Sequence, residues 1–314
     1  MKALVTGGAG FIGSNIVRHL VGEGYEVNIL DNLSSGYLVN IEEFLTNDKV
    51  HYCGGDVRDY VAVEKAMAGV DVVFHLAASV GRQRSLDNPQ LDSEINLVGT
   101  VNVLEAMHNC GAKKIVYSSS AAMFGELLTT TIDENHPQNA DSPYGVSKLA
   151  AEKMILAYAG LYDITSVCLR YFNIYGVNQR FDVYGNVIPI FAKRIYSNEP
   201  ITIYGDGTQT RDFVNVTDVA RANILASKSV LGTDVYNLGS ESSITINKLA
   251  QMMIEISGKK TEIVYAPERP ADVKHCKANA DKILKTMGFE AEVKLESGLA
   301  DYMKWFSDNK LYME

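Results

Sequence analysis

Residues 2–6, KALVT, form a short, largely apolar run that breaks at once into Gly7-Gly8-Ala9-Gly10-Phe11-Ile12-Gly13, and an apolar helical pattern follows over 11–22. Strand, tight glycine turn and helix in that order open a parallel α/β unit, because the glycines let the chain reverse closely and the helix pack back on the strand. The alternation continues. Buried-strand runs fall at 26–31, 50–54, 71–76, 114–118 and 164–170, with helical patterns near 58–68, 89–109 and 142–161 between them. Repeated βα units imply right-handed crossovers and a doubly wound parallel sheet covered by helices on both faces.

After about residue 170 the segments shorten and grow richer in Tyr, Gly and Asp, as in IYGVNQRFDVYGN and IYGDGTQTRD. Helical patterns return at 188–196, 217–227, 246–257 and 295–307. The expectation is α/β: a Rossmann-type doubly wound sheet over 1–170 with chain returning to it near 211–240, and a smaller, mostly C-terminal α/β lobe from 171–210 and 241–314.

With 314 residues, 46% of them hydrophobic, the chain can bury a large core. Its net charge of -9 argues against nucleic acid as a partner, since no broad basic surface is available to neutralise phosphates. Cys53, Cys110, Cys168 and Cys276 lie far apart with no CxxC pair, so neither a disulfide framework nor a metal cluster is expected. The opening apolar run is too short for a signal-peptide core and no later run has membrane-spanning length, which makes a cytoplasmic protein without a membrane partner the expectation.

The glycine turn lets backbone approach a pyrophosphate sitting on the positive end of the following helix. Asp31 ends the second strand, 18 residues past Gly13, where a carboxylate can accept hydrogen bonds from an adenosine ribose and would repel a 2′-phosphate. No Arg or Lys lies between Arg18 and Lys49, so NAD is favoured over NADP. Asp56, in GGDVRD, is placed either to touch the adenine amine or to cap the next helix.

Tyr144 and Lys148, in SPYGVSK, are four residues apart and share a helix face. A phenol with a reference pKa of about 10 must drop by roughly 3 units, about 4 kcal/mol, to act as a base at neutral pH. A lysine ammonium about 4–5 Å away supplies roughly that at an effective dielectric near 20, and a nicotinamide's positive charge adds to it. The strand end Tyr117–Ser120 leads into three consecutive serines, one of which could bind the oxygen that gains or loses the proton.

TGGAGFIG, the Asp31-Asn32 pair, GGDVRD, FHLAA, Asn96 in NLVGTVNVLEA, SSSAA, YGVSK and LRYFN, in this order and spacing, resemble the extended short-chain dehydrogenase/reductase family over nearly the whole chain. The resemblance implies a catalytic Ser120, Tyr144 and Lys148. It implies NAD contacts at Gly7, Gly10, Phe11, Ile12, Gly13, Asp31, Asn32, Ser35, Gly36, Asp56, Val57, Leu76, Ala77, Ala78, Asn96, Ser118, Tyr144, Lys148 and Tyr171. Diphosphate contacts would come from Asn173, Arg211 and Arg269, a ribose contact from Asp272, and a uracil slot from Ile188 and Tyr204. No metal is implied.

Within that family the dehydratases carry an Asp-Glu pair after the catalytic hydroxyl residue, and the UDP-glucuronate decarboxylases a Glu near it. Here Ala121 and Ala122 follow Ser120, so SSSAAMFG looks like the 4-epimerases, with Phe124 at a position expected to pack. The implied chemistry is NAD-dependent 4-epimerisation of a UDP-hexose through a transient 4-keto sugar. Cys276 falls at the gatekeeper position, where a small residue leaves room for an N-acetyl group; a selectively neutral buried hydrophobe is the other reading. Arg82 and Arg84, in SVGRQRS, face either the hexose or solvent, which keeps UDP-glucuronate open. Other readings are a dehydratase or reductase of the same fold and a non-catalytic dinucleotide sensor. Relatives of this kind pair two helices per subunit into a four-helix bundle, which implies a homodimer through 89–109 and 142–161.

Overall fold

The structure, a computed structural model, describes residues 1–182, 185–268 and 274–309. Its elements run β1 (Lys2–Thr6), α1 (Phe11–Gly22), β2 (Glu26–Asp31), β3 (Val50–Gly54), α2 (Tyr60–Ala66), β4 (Val72–His75), α3 (Arg82–Asp87), α4 (Pro89–Ser93), α5 (Gly99–Cys110), β5 (Lys114–Ser120), β6 (Thr131–Ile132), α6 (Pro143–Tyr162) and β7 (Thr165–Tyr171). The second part continues with β8 (Asn173–Tyr175), α7 (Val187–Tyr196), β9 (Ile201–Tyr204), β10 (Thr210–Asn215), α8 (Val216–Lys228), β11 (Asp234–Leu238), β12 (Ser243–Thr245), α9 (Ile246–Ser257), β13 (Ile263–Ala266), β14 (Lys277–Ala278), α10 (Asp281–Met287) and α11 (Leu295–Asp308).

Seven strands form one sheet in the order β3-β2-β1-β4-β5-β7-β11, every neighbouring pair parallel. The strand order reverses between β1 and β4, which opens a crevice at the C-terminal edge of the sheet. Ala3, Val5, Val27, Ile29 and Phe74 point to the face covered by α1 and α8, while Leu4, Leu30, Val73 and Ile115 point to the face covered by α2, α5 and α6. Both faces are dry, which is why these strands read as continuous apolar runs rather than alternating ones. Each Val, Leu, Ile and Phe among them contributes about 1.5–3 kcal/mol on burial.

The chain returns to this sheet after β10: α8 packs beside α1 and β11 becomes the outermost strand on β7. A second core lies between α7, α9 and α11, where Phe191, Leu249, Met253, Leu299, Tyr302 and Phe306 are buried. The small strands group as β12-β10-β8, β13-β9 and β14-β6.

Two local readings are corrected. Residues 89–109 are not one regular helix: α4 and α5 are joined by a π turn, Glu94–Val98, which inserts a residue and rotates Asn96 inward. SVGRQRS is not a loop throughout, because α3 begins at Arg82 behind Gly81, whose φ of 119° requires glycine. Among the described residues no helix is long and apolar enough to cross a membrane.

Candidate active site

The glycine turn is shaped by backbone contact. Gly7 has φ of 69°, and a Cβ on it would lie 2.8 Å from the Ala77 nitrogen. On Gly13 a Cβ would lie 2.1 Å from the Gly7 carbonyl oxygen, and on Gly36 2.8 Å from the Ala9 carbonyl carbon. Gly10 is the residue before α1, whose first turn holds no acidic side chain, and Phe11 and Ile12 tuck against the core. The concavity is one that added side chains would fill, and it ends on a helix N-terminus, so these residues fit a dinucleotide pyrophosphate.

Asp31 stands at the end of β2, nearly buried, and accepts the amides of Ala9 (2.9 Å) and Leu33 (2.8 Å). Burial raises its pKa, and those two amides oppose the rise. Asn32 and Ser35 lie exposed on the following loop. Asp56 is not the cap of α2; Asp59 accepts the Val61 and Ala62 amides instead. Asp56 is held by Arg58 and by the Asn32 amide (2.7 Å), and the Arg58 hydrogen bonds bring its pKa down to about 2. It borders an open hollow shared with Arg58, Asp59, Glu94 and Val98. Val57 is buried against Gly99. The Leu76 and Ala77 amides donate to the Thr6 hydroxyl (3.1 and 3.2 Å), which fixes the rim that continues into Ala78.

Ser120 ends β5, and its hydroxyl accepts the Ala122 amide (3.2 Å), starting a 3-10 turn over Ala121–Phe124. α6 starts against that turn, capped by Ser142 on the Gly145 amide with Pro143 in its first position. Gly145 permits the approach: a Cβ there would lie 2.5 Å from the Ala122 carbonyl oxygen. Tyr144 is thereby set beside Ser120, near enough for the serine hydroxyl to favour the ionised phenol. Lys148, one turn on, is buried with its Nζ 4.2 Å from the centre of the Tyr117 ring.

The electrostatics depart from the expected pairing. Burial raises the pKa of Tyr144, the Ser120 hydrogen bond lowers it and the charge of Asp92 raises it further. Burial drives Lys148 down to about 7, opposed first by Asp92 and then by Cys168 and Glu152. The protein's own groups therefore do not bring the phenol towards neutrality; of these, only the Ser120 bond acts in that direction.

Several neighbours brace this centre. Tyr171 takes hydrogen bonds from Ser118 (3.0 Å) and Asn223 (2.7 Å), so its hydroxyl serves the core between β5, β7 and α8. Asn96, buried by the π turn, accepts the Ser79 amide (2.8 Å), and its nitrogen lies 3.0 Å from the Ser79 carbonyl, from Asp92 and from Ser147. Its amide thus faces protein groups. Beneath Ser120, Glu152 and Arg170 form a wholly buried pair (2.6 Å) that also takes the Ser119 hydroxyl (2.6 Å). Phe124 packs as expected, with Arg170 above its ring. Arg170 and Glu152 sit inside the motifs LRYFN and YGVSKLAAE, whereas Asp92 and Asn223 had no signal beyond helical spacing to Asn96 and to α8 neighbours.

In the second half, Asn173 begins β8 and donates to the Asp212 carbonyl (3.1 Å). Arg211 lies on β10 beside it, its guanidinium on the Thr210 carbonyl (2.9 Å) and its charge felt by Cys276. Asp212, unanticipated, is fully buried and accepts four donors: the Ser240 amide and hydroxyl, the Glu241 amide and the Ala278 amide. It ties β10 to β14 and so sets Arg211 near Cys276. Cys276 is half-buried against the cluster of Met123, Phe124, Ile132, Phe172 and Ala278, and burial pushes its thiol up to about 11. Tyr204 borders a cleft with Gly205, Asp206, Thr208, Gln209, Glu268 and Lys274. The side chain of Ile188, at the start of α7, is wholly buried in the second core. Arg269 and Asp272 lie outside the described residues. Arg82 and Arg84 are ion-paired, to Asp141 (2.6 Å) and Asp182 (2.5 Å). Among the described residues no His, Cys, Asp and Glu are grouped to hold a metal.

A glycine cradle at the sheet's switch point and a Ser-Tyr-Lys cluster one strand away define a protein of the short-chain dehydrogenase/reductase class. More narrowly, residues 3–239 match the model of the NAD dependent epimerase/dehydratase family, and the chain belongs to that family. It is 34% identical to a UDP-glucuronate 4-epimerase of Thermodesulfobacterium geofontis, covering 98% of this chain and 96% of that one. The UDP-N-acetylglucosamine 4-epimerase of Methanobrevibacter ruminantium, solved with UDP-N-acetylmuramic acid, superposes with a TM-score of 0.93 at 34% identity, covering 98% of both chains. The UDP-glucose 4-epimerase of Thermus thermophilus, solved with NAD, gives 0.89 at 36%, covering 98% of this chain and 99% of that one.

Proposed function

We propose that the protein catalyses NAD-dependent 4-epimerisation of a UDP-hexose, with UDP-N-acetylhexosamines among its substrates. The observation that carries the reading is the turn after Ser120. It is built from Ala121, Ala122 and the buried Met123 and Phe124, and puts no carboxylate where elimination would need an acid beside Tyr144.

Gly7, Gly10, Gly13, Gly36 and Asp31 would hold NAD. When bound, NAD supplies a reversible hydride acceptor, so the sugar C4 can be oxidised and reduced again with no external oxidant. Tyr144, its phenolate favoured by Ser120 and by the positive charge that bound nicotinamide would add, would take the proton of the 4-hydroxyl and later return it; Ser120 would hydrogen-bond the same oxygen. Lys148 places positive charge beneath the pair. Asn173 and Arg211 grip the diphosphate, Arg211 with its planar fork of donors, while the hexose is held loosely enough to turn over. Cys276, small at its position, leaves room for an N-acetyl group. The pairing of Arg82 and Arg84 with aspartates makes a uronate the weaker choice. Exposed Val98 at the α5 end and Val146 and Leu161 on α6 favour a homodimer through these helices, which sedimentation would test.

Proton NMR of products from UDP-glucose, UDP-N-acetylglucosamine and UDP-glucuronate, each incubated without reductant, tests the reaction. An axial-4-hydroxyl product without net NADH is expected. A deoxy, keto or decarboxylated product overturns it.

A further inference from the structure

Asp92 is a fully buried carboxylate that the reaction as written does not use. It lies at the end of α4, just before the π turn. The Ser147 hydroxyl donates to its Oδ2 (2.5 Å), and the Asn96 amide nitrogen lies 3.0 Å from its Oδ1. Ser147 sits between Tyr144 and Lys148 on α6, and its hydroxyl also lies 3.1 Å from the Tyr144 carbonyl oxygen. Asp92 forms no ion pair among the described residues, and neither Ser147 nor Asn96 carries charge. A buried carboxylate of this kind is costly unless donors or a cation share its surroundings: burial raises the Asp92 pKa, and the Ser147 hydrogen bond, the charge of Lys148 (the residue after Ser147 on α6) and the Asn96 amide oppose the rise.

We infer that Asp92 is a positioning residue for the Tyr144–Lys148 pair: it fixes Ser147, between the two, and supplies the negative charge that keeps Lys148 an ammonium inside the core. The inference rests on the proposed role of that pair. The other groups around Lys148 are Tyr144 and Glu152 on α6, Tyr117 on β5, Cys168 on β7 and His75 on β4. His75 is bound on both ring nitrogens by Thr6 and Thr100 and held neutral, its pKa at about 3, by burial. Glu152 is already committed to Arg170. Asp92 is the carboxylate left to balance the lysine.

The sign follows. Removing the Asp92 charge makes the ammonium harder to keep, so Lys148 loses its proton at lower pH. In Asp92→Asn, the basic limb of the kcat/KM–pH profile is expected to move down by about one unit, a tenfold loss on that limb. Ser147→Ala, which keeps the carboxylate, should leave the limb in place. Unfolding midpoints identify a variant that fails to fold, and Asp92→Ser, which can admit a water, then carries the same expectation. A limb unmoved in the folded Asp92 variants, or moved equally by Ser147→Ala, overturns the inference. Carbon-13 NMR titration of labelled lysine in the NAD-bound protein, with Lys148 assigned by its loss in Lys148→Met, reads the same shift without turnover. A wild type that epimerises nothing would thus sink the proposed reaction while Asp92 is still tested.

Discussion

The two ends of the crevice are built by different means. At the dinucleotide end the surface is backbone: Gly7, Gly13 and Gly36 touch neighbouring main chain, and Asp31 is braced by two amides from within 22 residues of it. At the sugar end the surface is set by side chains whose partners are far away in sequence. Asp212 draws its donors from residues 240, 241 and 278, and Cys276 packs on a cluster that joins Met123 and Phe124 to Ile132 and Phe172. A site of backbone tolerates almost no added atom, because carbonyls and amides cannot move aside. One of side chains can be reshaped by a single substitution, and so can change what it accepts.

Substitutions can break this contrast. Tyr144→Phe, where the ends meet, should keep NAD and sugar binding while turnover falls by about 10²–10⁴-fold, the usual worth of a general acid–base group. Turnover close to wild type would remove Tyr144 from the chemistry. Gly13→Ala should act through the backbone alone. It forces a Cβ to 2.1 Å from a carbonyl oxygen and should cost about 1–3 kcal/mol in thermal unfolding, with NAD lost from the purified protein. Full NAD content in that variant would show that the turn has more freedom than described.

Cys276→Tyr should leave NAD content untouched and lower kcat/KM for UDP-N-acetylglucosamine, relative to UDP-glucose, by roughly 10–200-fold, the worth of a steric mismatch. Equal loss on both sugars would remove the gatekeeper role. The smallest effect belongs to Asp56. Its depressed pKa means that the Arg58 clasp stabilises the fold fully above the ordinary value of 3.8 and is lost as pH falls through about 2. An NMR titration should place Asp56 near that lower value, and Arg58→Ala should return it towards the ordinary one.

Much of the dinucleotide end was legible in the chain. The bounds of β1, α1, β2 and β3 coincide with their sequence patterns, because buried parallel strands and amphipathic helices write their periodicity locally. Glycines announced the turn for the same reason. Ser120, Tyr144 and Lys148 were legible as a motif, but not the reason they meet, which is Gly145 riding on the Ala122 carbonyl. Asp56 could be read two ways, and Asp59, three residues on, proved to be the cap. The burial of Ile188 in the second core was not legible, because an apolar residue at a helix start looks alike whether it faces a ligand or a core.

By itself, then, the sequence determined the alternation of strand and helix, the glycine turn, the carboxylate that ends β2 and the order of motifs that places the chain in its family. These features follow from the preferences of a few adjacent residues. Tertiary structure decided which charges are buried and against what. Asp92 meets Ser147 across 55 residues, Glu152 meets Arg170 across an α6–β7 crossover, and Asp212 meets Ala278 across 66. Whether a carboxylate is a solvated surface charge or the counterweight to a buried lysine depends on its desolvation and on donors brought by packing, and neither is written in its neighbours along the chain.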